Sequence, residues 1–263
     1  MQKSGARFAI RPFAMRPFAT ASFAIALVLS ACGGSSAVHQ SGAPAPAASS
    51  TTKATSTTST TLEKPKPYDP TKPIDLGGTP GVTAAEQHRA EQLLRSTIVD
   101  LRRFTYPSDA MAAGYRSIGD RITGDEHFIN WATVDDGHIL DPTRPESLVY
   151  EVRNGTQQIA AAMFMLPFGS RFTDAPDVGG ALTQWHVHAD LCLTNDPVQK
   201  TLSGFTAVNG QCPPGSSKAG NTPMLHVWVV PNQCGPFAAL EGVGAGQVPA
   251  GQTRLCDSAH GST

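Results

Sequence analysis

Apolar residues recur at helical spacing at the start of the predicted folded part of the chain. Four of them lie three or four positions apart, with charged residues between them: Ala90, Leu94, Ile98 and Leu101. This period is typical of an amphipathic helix, and Thr83 followed by Glu86 forms the pattern of a helix-capping box. We therefore expect one helix over residues 84–103 and a second, short helix over residues 108–113.

Downstream, the pattern changes to short apolar runs separated by turns. The runs at 148–152 and 158–165 flank Asn154-Gly155, a dipeptide that supplies the positive φ angles of a tight β-hairpin turn. Further apolar runs predict three more strands, at 126–132, 184–193 and 224–230. Loops rich in Gly and Pro are expected at 174–180, 209–221 and 242–251. Together these elements predict an α+β fold, in which the N-terminal helix packs on a mainly antiparallel sheet or small barrel.

The first 31 residues have the character of an export signal. Basic residues precede an apolar run over 18–31, which is shorter than the roughly 20 residues that span a bilayer. The run ends in Leu-Ser-Ala-Cys at 29–32, which resembles the lipobox of bacterial lipoproteins, where the cysteine thiol takes a diacylglycerol. The resemblance implies a signal peptide over 1–31, cleavage before Cys32, and a lipid anchor on the extracytoplasmic side of the membrane. A shorter signal that starts at Met15 fits the same pattern.

A segment of Ser, Thr, Ala and Pro follows Cys32. Such a segment buries too little apolar surface to offset the entropy lost on ordering. We therefore expect a disordered tether over 32–78 and a single globular domain over 79–263. The formal net charge is −1 and no basic block follows the leader, which argues against nucleic acid as a partner. The membrane, reached through the N-terminal lipid, is the partner that the sequence predicts.

Cysteines beyond Cys32 favour disulfides. There are four: Cys192, Cys212, Cys234 and Cys256. An even number in an oxidising compartment is typical of two disulfides. Of the three possible pairings we favour Cys192–Cys212 and Cys234–Cys256, because each closes a loop of about 20 residues rich in Gly and Pro. Thiolate ligation of a metal is the alternative, but the sequence contains no C-x-x-C pair.

The clearest candidate chemistry lies in Trp185-His186-Val187-His188. Alternate side chains of a strand share a face, so His186 and His188 can reach one metal ion. A second predicted strand contributes His226, and a third contributes His127. Three imidazoles with an open coordination position are typical of catalytic zinc sites and also suit copper. We therefore expect a zinc or copper site formed by His186, His188, His226 and His127.

Other interpretations of these residues stay open. His-x-His on one strand and a third histidine on a later strand is also the spacing of cupin-type barrels, so a cupin-like metalloenzyme is one alternative. A non-catalytic surface domain that binds a protein or glycan is another, with the histidines as polar residues of the core and Asp190 bonded to one of them. Glu126 is a further candidate ligand or general base. The sequence lacks the nucleophile elbow of serine hydrolases and the lysine-bearing loop of phosphate-binding enzymes.

The C-terminal half resembles an uncharacterised group of exported bacterial proteins. The shared motifs are W-H-x-H-x-x-L-C at 185–192, a second cysteine at position 212, L-H-x-W-x-x-P-N at 225–232 and G-x-F-A at 235–238. The resemblance implies that Cys192 pairs with Cys212 and that the histidines belong to one site. It implies no particular activity.

Overall fold

The structure is a computed structural model that describes residues 65–239 and 246–252. Its two α-helices precede its strands along the chain. Helix α1, Ala84–Asp100, begins at the predicted capping box. The hydroxyl of Thr83 accepts the N–H of Glu86 at 3.2 Å, and the Glu86 carboxylate accepts the N–H of Thr83 at 2.6 Å. A 3-10 turn, Leu101–Phe104, and the short helix α2, Pro107–Ala112, follow. Both predicted helices are therefore present.

A five-stranded antiparallel sheet forms the centre of the fold. Its strands are β1 (Arg116–Ser117), β2 (Asp125–Ile129), β3 (Ser147–Arg153), β4 (Thr156–Met165) and β8 (Met224–Trp228), in the order β1-β2-β3-β4-β8. The predicted hairpin is β3–β4. Its turn residues Asn154 and Gly155 have φ angles of 50° and 76°, the conformation that an Asn-Gly pair favours.

A second antiparallel sheet has three strands in the order β6-β5-β7. They are β5 (Leu191–Thr194), β6 (Leu202–Phe205) and β7 (Ser216–Lys218). The predicted disulfide Cys192–Cys212 joins β5 to the loop before β7, with the two Cα atoms 5.6 Å apart. The described residues hold this one disulfide rather than the two expected. Cys256 lies outside the described residues, so its pairing with Cys234 stays a prediction.

The predicted barrel and the predicted strand over 184–193 differ from the structure. The two sheets stay separate within the described residues, so the small barrel is wrong: no closed ring of strands forms. The single strand expected over 184–193 is also wrong. His186 and Val187 form only isolated bridges, to Met224 and Gln247, and the chain then turns before it enters the second sheet as β5. The apolar pattern does not indicate this change of sheet, because apolar residues occur on both sides of the turn.

The main core lies between α1 and the five-stranded sheet. Ala90 and Leu94 of α1 share one buried cluster with Leu225 of β8. Leu76 also belongs to this cluster, with 2 % of its surface exposed, and its N–H donates to Glu91 at 3.0 Å. Packed structure thus begins before the predicted boundary at 79, since one leucine anchors an otherwise polar segment. The predicted signal peptide (1–31), Cys32 and the tether as far as residue 64 lie outside the described residues.

Candidate functional site

The five-stranded sheet presents one face to α1 and carries histidines on the other. Side chains alternate along a strand, so Phe128 of β2 packs in the α1 core while the neighbouring His127 lies on the opposite face with Ile129. In β8, Leu225 packs in the α1 core and His226 lies on the same face as His127. We call this surface the histidine face.

Four histidines meet on the histidine face and are buried. His186 and His226 are fully buried, and His188 and His127 keep only 5 % and 6 % of their surface exposed. The ring centroids of His188 and His186 are 5.2 Å apart. Those of His186 and His226 are 4.9 Å apart, and those of His226 and His127 are 5.5 Å apart. The structure therefore brings the four predicted histidines into one continuous line of rings, the histidine row.

Two ring nitrogens converge at one end of the histidine row. Nε2 of His127 and Nε2 of His226 are 3.2 Å apart, although β3 and β4 separate their strands by about 14 Å. In the strand register, Val149 and Ala161 lead from His127 to Trp228, so His226 lies two positions from the residue directly in line with His127. A separation of 3.2 Å suits a hydrogen bond. It is also close to the roughly 3.3 Å between two nitrogens bound tetrahedrally to one metal ion.

Asp120 fixes the orientation of His127. One oxygen of its carboxylate accepts the backbone N–H of His127 at 2.9 Å, and the other lies 2.6 Å from the ring Nδ1. Nδ1 therefore carries a proton, and Nε2 is directed at His226. Burial lowers the pKa of the His127 imidazole, but the negative charge of Asp120 and its hydrogen bond raise the pKa by more, and the net shift is upward. A metal ion at Nε2 has to displace any proton held there.

His186 has the same tautomer as His127. Its Nδ1 lies 3.1 Å from the backbone carbonyl oxygen of Gln184. Because a carbonyl oxygen only accepts hydrogen bonds, Nδ1 of His186 is the donor, and the lone pair of the neutral ring is on Nε2. A histidine whose Nδ1–H is held in this way by an oxygen is typical of metal ligands that bind through Nε2.

The other polar candidates do not join the histidine row. Glu126 precedes His127 on β2 and so lies on the opposite face, where its carboxylate contacts Ser117, Arg121 and Gln157. Asp190 accepts a hydrogen bond from the side chain of Gln247 at 3.2 Å.

Within the described residues, no group of three or more His, Cys, Asp or Glu side chains is arranged to hold a metal ion. The described side chains thus supply one converging pair of nitrogens, on His127 and His226. His186 and His188 lie beside this pair in the row.

A small cavity of about 70 Å³ lies between the histidine face and the second sheet. His127 and His188 line it, together with a wall of mainly apolar side chains: Ile129, Trp131, Met163, Met165, Leu193 and Met224. Sequence reasoning missed Asp120 and the three methionines. Asp120 lies in a turn seven residues before His127 without any motif. The alternation of Met163 and Met165 on β4 was the one signal that they share a face.

No protein-family model, no curated protein and no solved structure matches this chain. The strands that the structure describes form two separate sheets rather than a cupin-type barrel. In the part of the chain that the structure describes, no helix combines the length and the apolar character needed to span a bilayer.

Proposed function

We propose that this chain is an exported, lipid-anchored protein of the cell envelope that binds a metal ion, zinc or copper, at the histidine row. The observation that carries the proposal is the 3.2 Å approach of the Nε2 atoms of His127 and His226. Asp120 holds His127 in the orientation that directs its Nε2 at His226.

Two of the four imidazoles also have the surroundings of a metal ligand. An oxygen that accepts the Nδ1–H of a histidine strengthens the bond between its Nε2 and a metal ion. For His127 that oxygen belongs to Asp120, and for His186 it belongs to Gln184.

Addition of metal to the full-length protein tests this proposal. A ligand at a concentration about 100 times its Kd stabilises the native state by about 2.7 kcal/mol. For a domain of this size that corresponds to a rise in Tm of about 5–10 °C. We expect this rise with zinc or copper, at a stoichiometry of one ion per chain. His127→Gln and His226→Gln should reduce it, whereas His88→Gln, on the exposed surface of α1, should leave it unchanged.

The alternatives predict different results in the same assay. If the protein folds cooperatively and its Tm does not change on addition of zinc or copper, the histidines are polar core residues of a non-catalytic surface domain. Metal binding that leaves one coordination position to water would instead favour a metalloenzyme, because structural sites are closed by protein ligands.

The lipid anchor is proposed from the lipobox at Cys32. The mature protein should partition into the detergent phase of a phase-separating surfactant and should incorporate labelled palmitate. Cys32→Ser should abolish both properties. Incorporation of label by the Cys32→Ser variant would contradict the assignment of the anchor to this residue.

We also propose a second disulfide, Cys234–Cys256, on the even number of cysteines in an oxidising compartment. Alkylation of the unfolded, unreduced protein should modify none of the four cysteines of the mature domain, and peptide mapping should recover Cys234 linked to Cys256. Two alkylated thiols at these positions would contradict the pairing.

A further inference from the structure

Three methionines lie on the histidine face, next to the histidine row. Met163, Met165 and Met224 are buried, with 4 %, 8 % and 8 % of their surfaces exposed. All three line the cavity that His127 and His188 also line. The thioethers and the imidazoles thus border the same small space between the two sheets.

The strand register brings these methionines close to the histidines. Met163 of β4 is directly opposite His226 of β8, and directly opposed residues have Cβ atoms about 5 Å apart. Met224 forms an antiparallel bridge with His186, with backbone hydrogen bonds of 3.0 and 2.8 Å. The pairing of the strands therefore places a methionine next to each of the two central histidines of the row.

From this juxtaposition we propose that the metal is Cu(I), held by imidazole nitrogens of the histidine row and by the thioether sulfur of Met163 or Met224. The inference rests on the proposed metal-binding function and names its metal. Thioether sulfur is a soft ligand that selects Cu(I), whereas zinc takes thiolate, imidazole and carboxylate. The carboxylate of Asp120, which contacts the row, has both oxygens engaged by His127.

The surroundings of the row also suit a monovalent, soft cation. Trp228 stacks beside His226, with ring centroids 5.6 Å apart, and Trp131 lines the cavity. An apolar wall of this kind excludes water, and a singly charged ion loses less solvation on burial than a doubly charged one. Methionine is also a common filler of irregular cores, so the test has to separate ligation from packing.

Competition against a Cu(I) chelator provides that test. The mature protein, exported and lipidated, is purified in detergent with a tag that contains no histidine. Cu(I) is then added without oxygen, in competition with bathocuproine disulfonate. Met163→Leu and Met224→Leu keep the volume of the side chain, so the fold should tolerate them. Met111→Leu is the matched control, because Met111 lies on α2 with 48 % of its surface exposed.

The proposal predicts that at least one of Met163→Leu and Met224→Leu lowers the affinity for Cu(I) about tenfold or more, while the affinity for zinc stays unchanged. X-ray absorption should detect sulfur bound to copper in the wild type and in Met111→Leu, and less sulfur in the variant whose affinity falls. A nitrogen-only sphere, or affinities that ignore both substitutions, would overturn the assignment to Cu(I) and leave the histidine site intact. Binding of neither Cu(I) nor zinc would overturn both proposals.

Discussion

Asp120→Asn should weaken metal binding by reversing the tautomer of His127. The carbonyl oxygen of the new amide can still accept the backbone N–H of His127, as Asp120 does at 2.9 Å. The amide NH₂ then faces Nδ1, which must become an acceptor, and the proton moves to Nε2. Nε2 is the atom 3.2 Å from His226, so the lone pair that would bind the metal is lost.

The size of the expected loss of metal affinity follows from this geometry. Replacement of a carboxylate that orients a histidine ligand typically lowers metal affinity about 10–100-fold, or about 1.4–2.8 kcal/mol. Calorimetric titration with zinc and with Cu(I) measures it. Asp69→Asn is the control, because Asp69 accepts two hydrogen bonds from Thr71 on an exposed turn. An Asp120→Asn protein that folds and binds metal as tightly as the control would refute the role assigned to Asp120.

Three further predictions follow. Burial raises the pKa of Glu146 to about 7, so the native state holds this proton more tightly than the unfolded state and the free energy of unfolding falls as pH rises from about 4.5 to 7. Glu146→Gln removes this ionisation. Its free energy of unfolding, measured by urea denaturation, should exceed that of the wild type by an amount that grows to about 3 kcal/mol between pH 5 and 8. Replacing Cys192 and Cys212 by Ser should lower the free energy of unfolding by about 3 kcal/mol. Gly246→Ala should displace the His186 ring, whose Cγ lies 2.9 Å from the added methyl group, and should thereby lower the affinity for metal. An affinity equal to that of the wild type would contradict this prediction.

Local patterns in the sequence predicted the elements of the fold well. The capping box at Thr83 and Glu86 specifies the start of α1, and Asn154-Gly155 specifies the turn of the β3–β4 hairpin. These signals act over a few residues, so they hold whatever the tertiary arrangement. The division of the strands between two sheets depends instead on long-range pairing, such as the bridge of His186 to Met224. No local pattern in the sequence indicates such pairing.

The candidate site was predicted in part for the same reason. The alternation of side chains in 126–132 and 224–230 predicts which face His127 and His226 occupy. The two rings meet across β3 and β4 because of the order of the strands in the sheet. The sequence pattern does not predict this order. Asp120 contacts His127 from the position directly before a 3-10 turn, where no periodicity in the sequence indicates a partner.

The metal content of the protein as isolated tests the central claim most directly. The mature protein, exported by its host cell and purified without a histidine tag or chelator, should contain about one equivalent of zinc or copper by elemental analysis. The His127→Gln/His226→Gln double variant should lose this metal, and His88→Gln should keep it. Cooperatively folded wild-type protein that contains no metal and takes up none when zinc or copper is supplied would contradict the account.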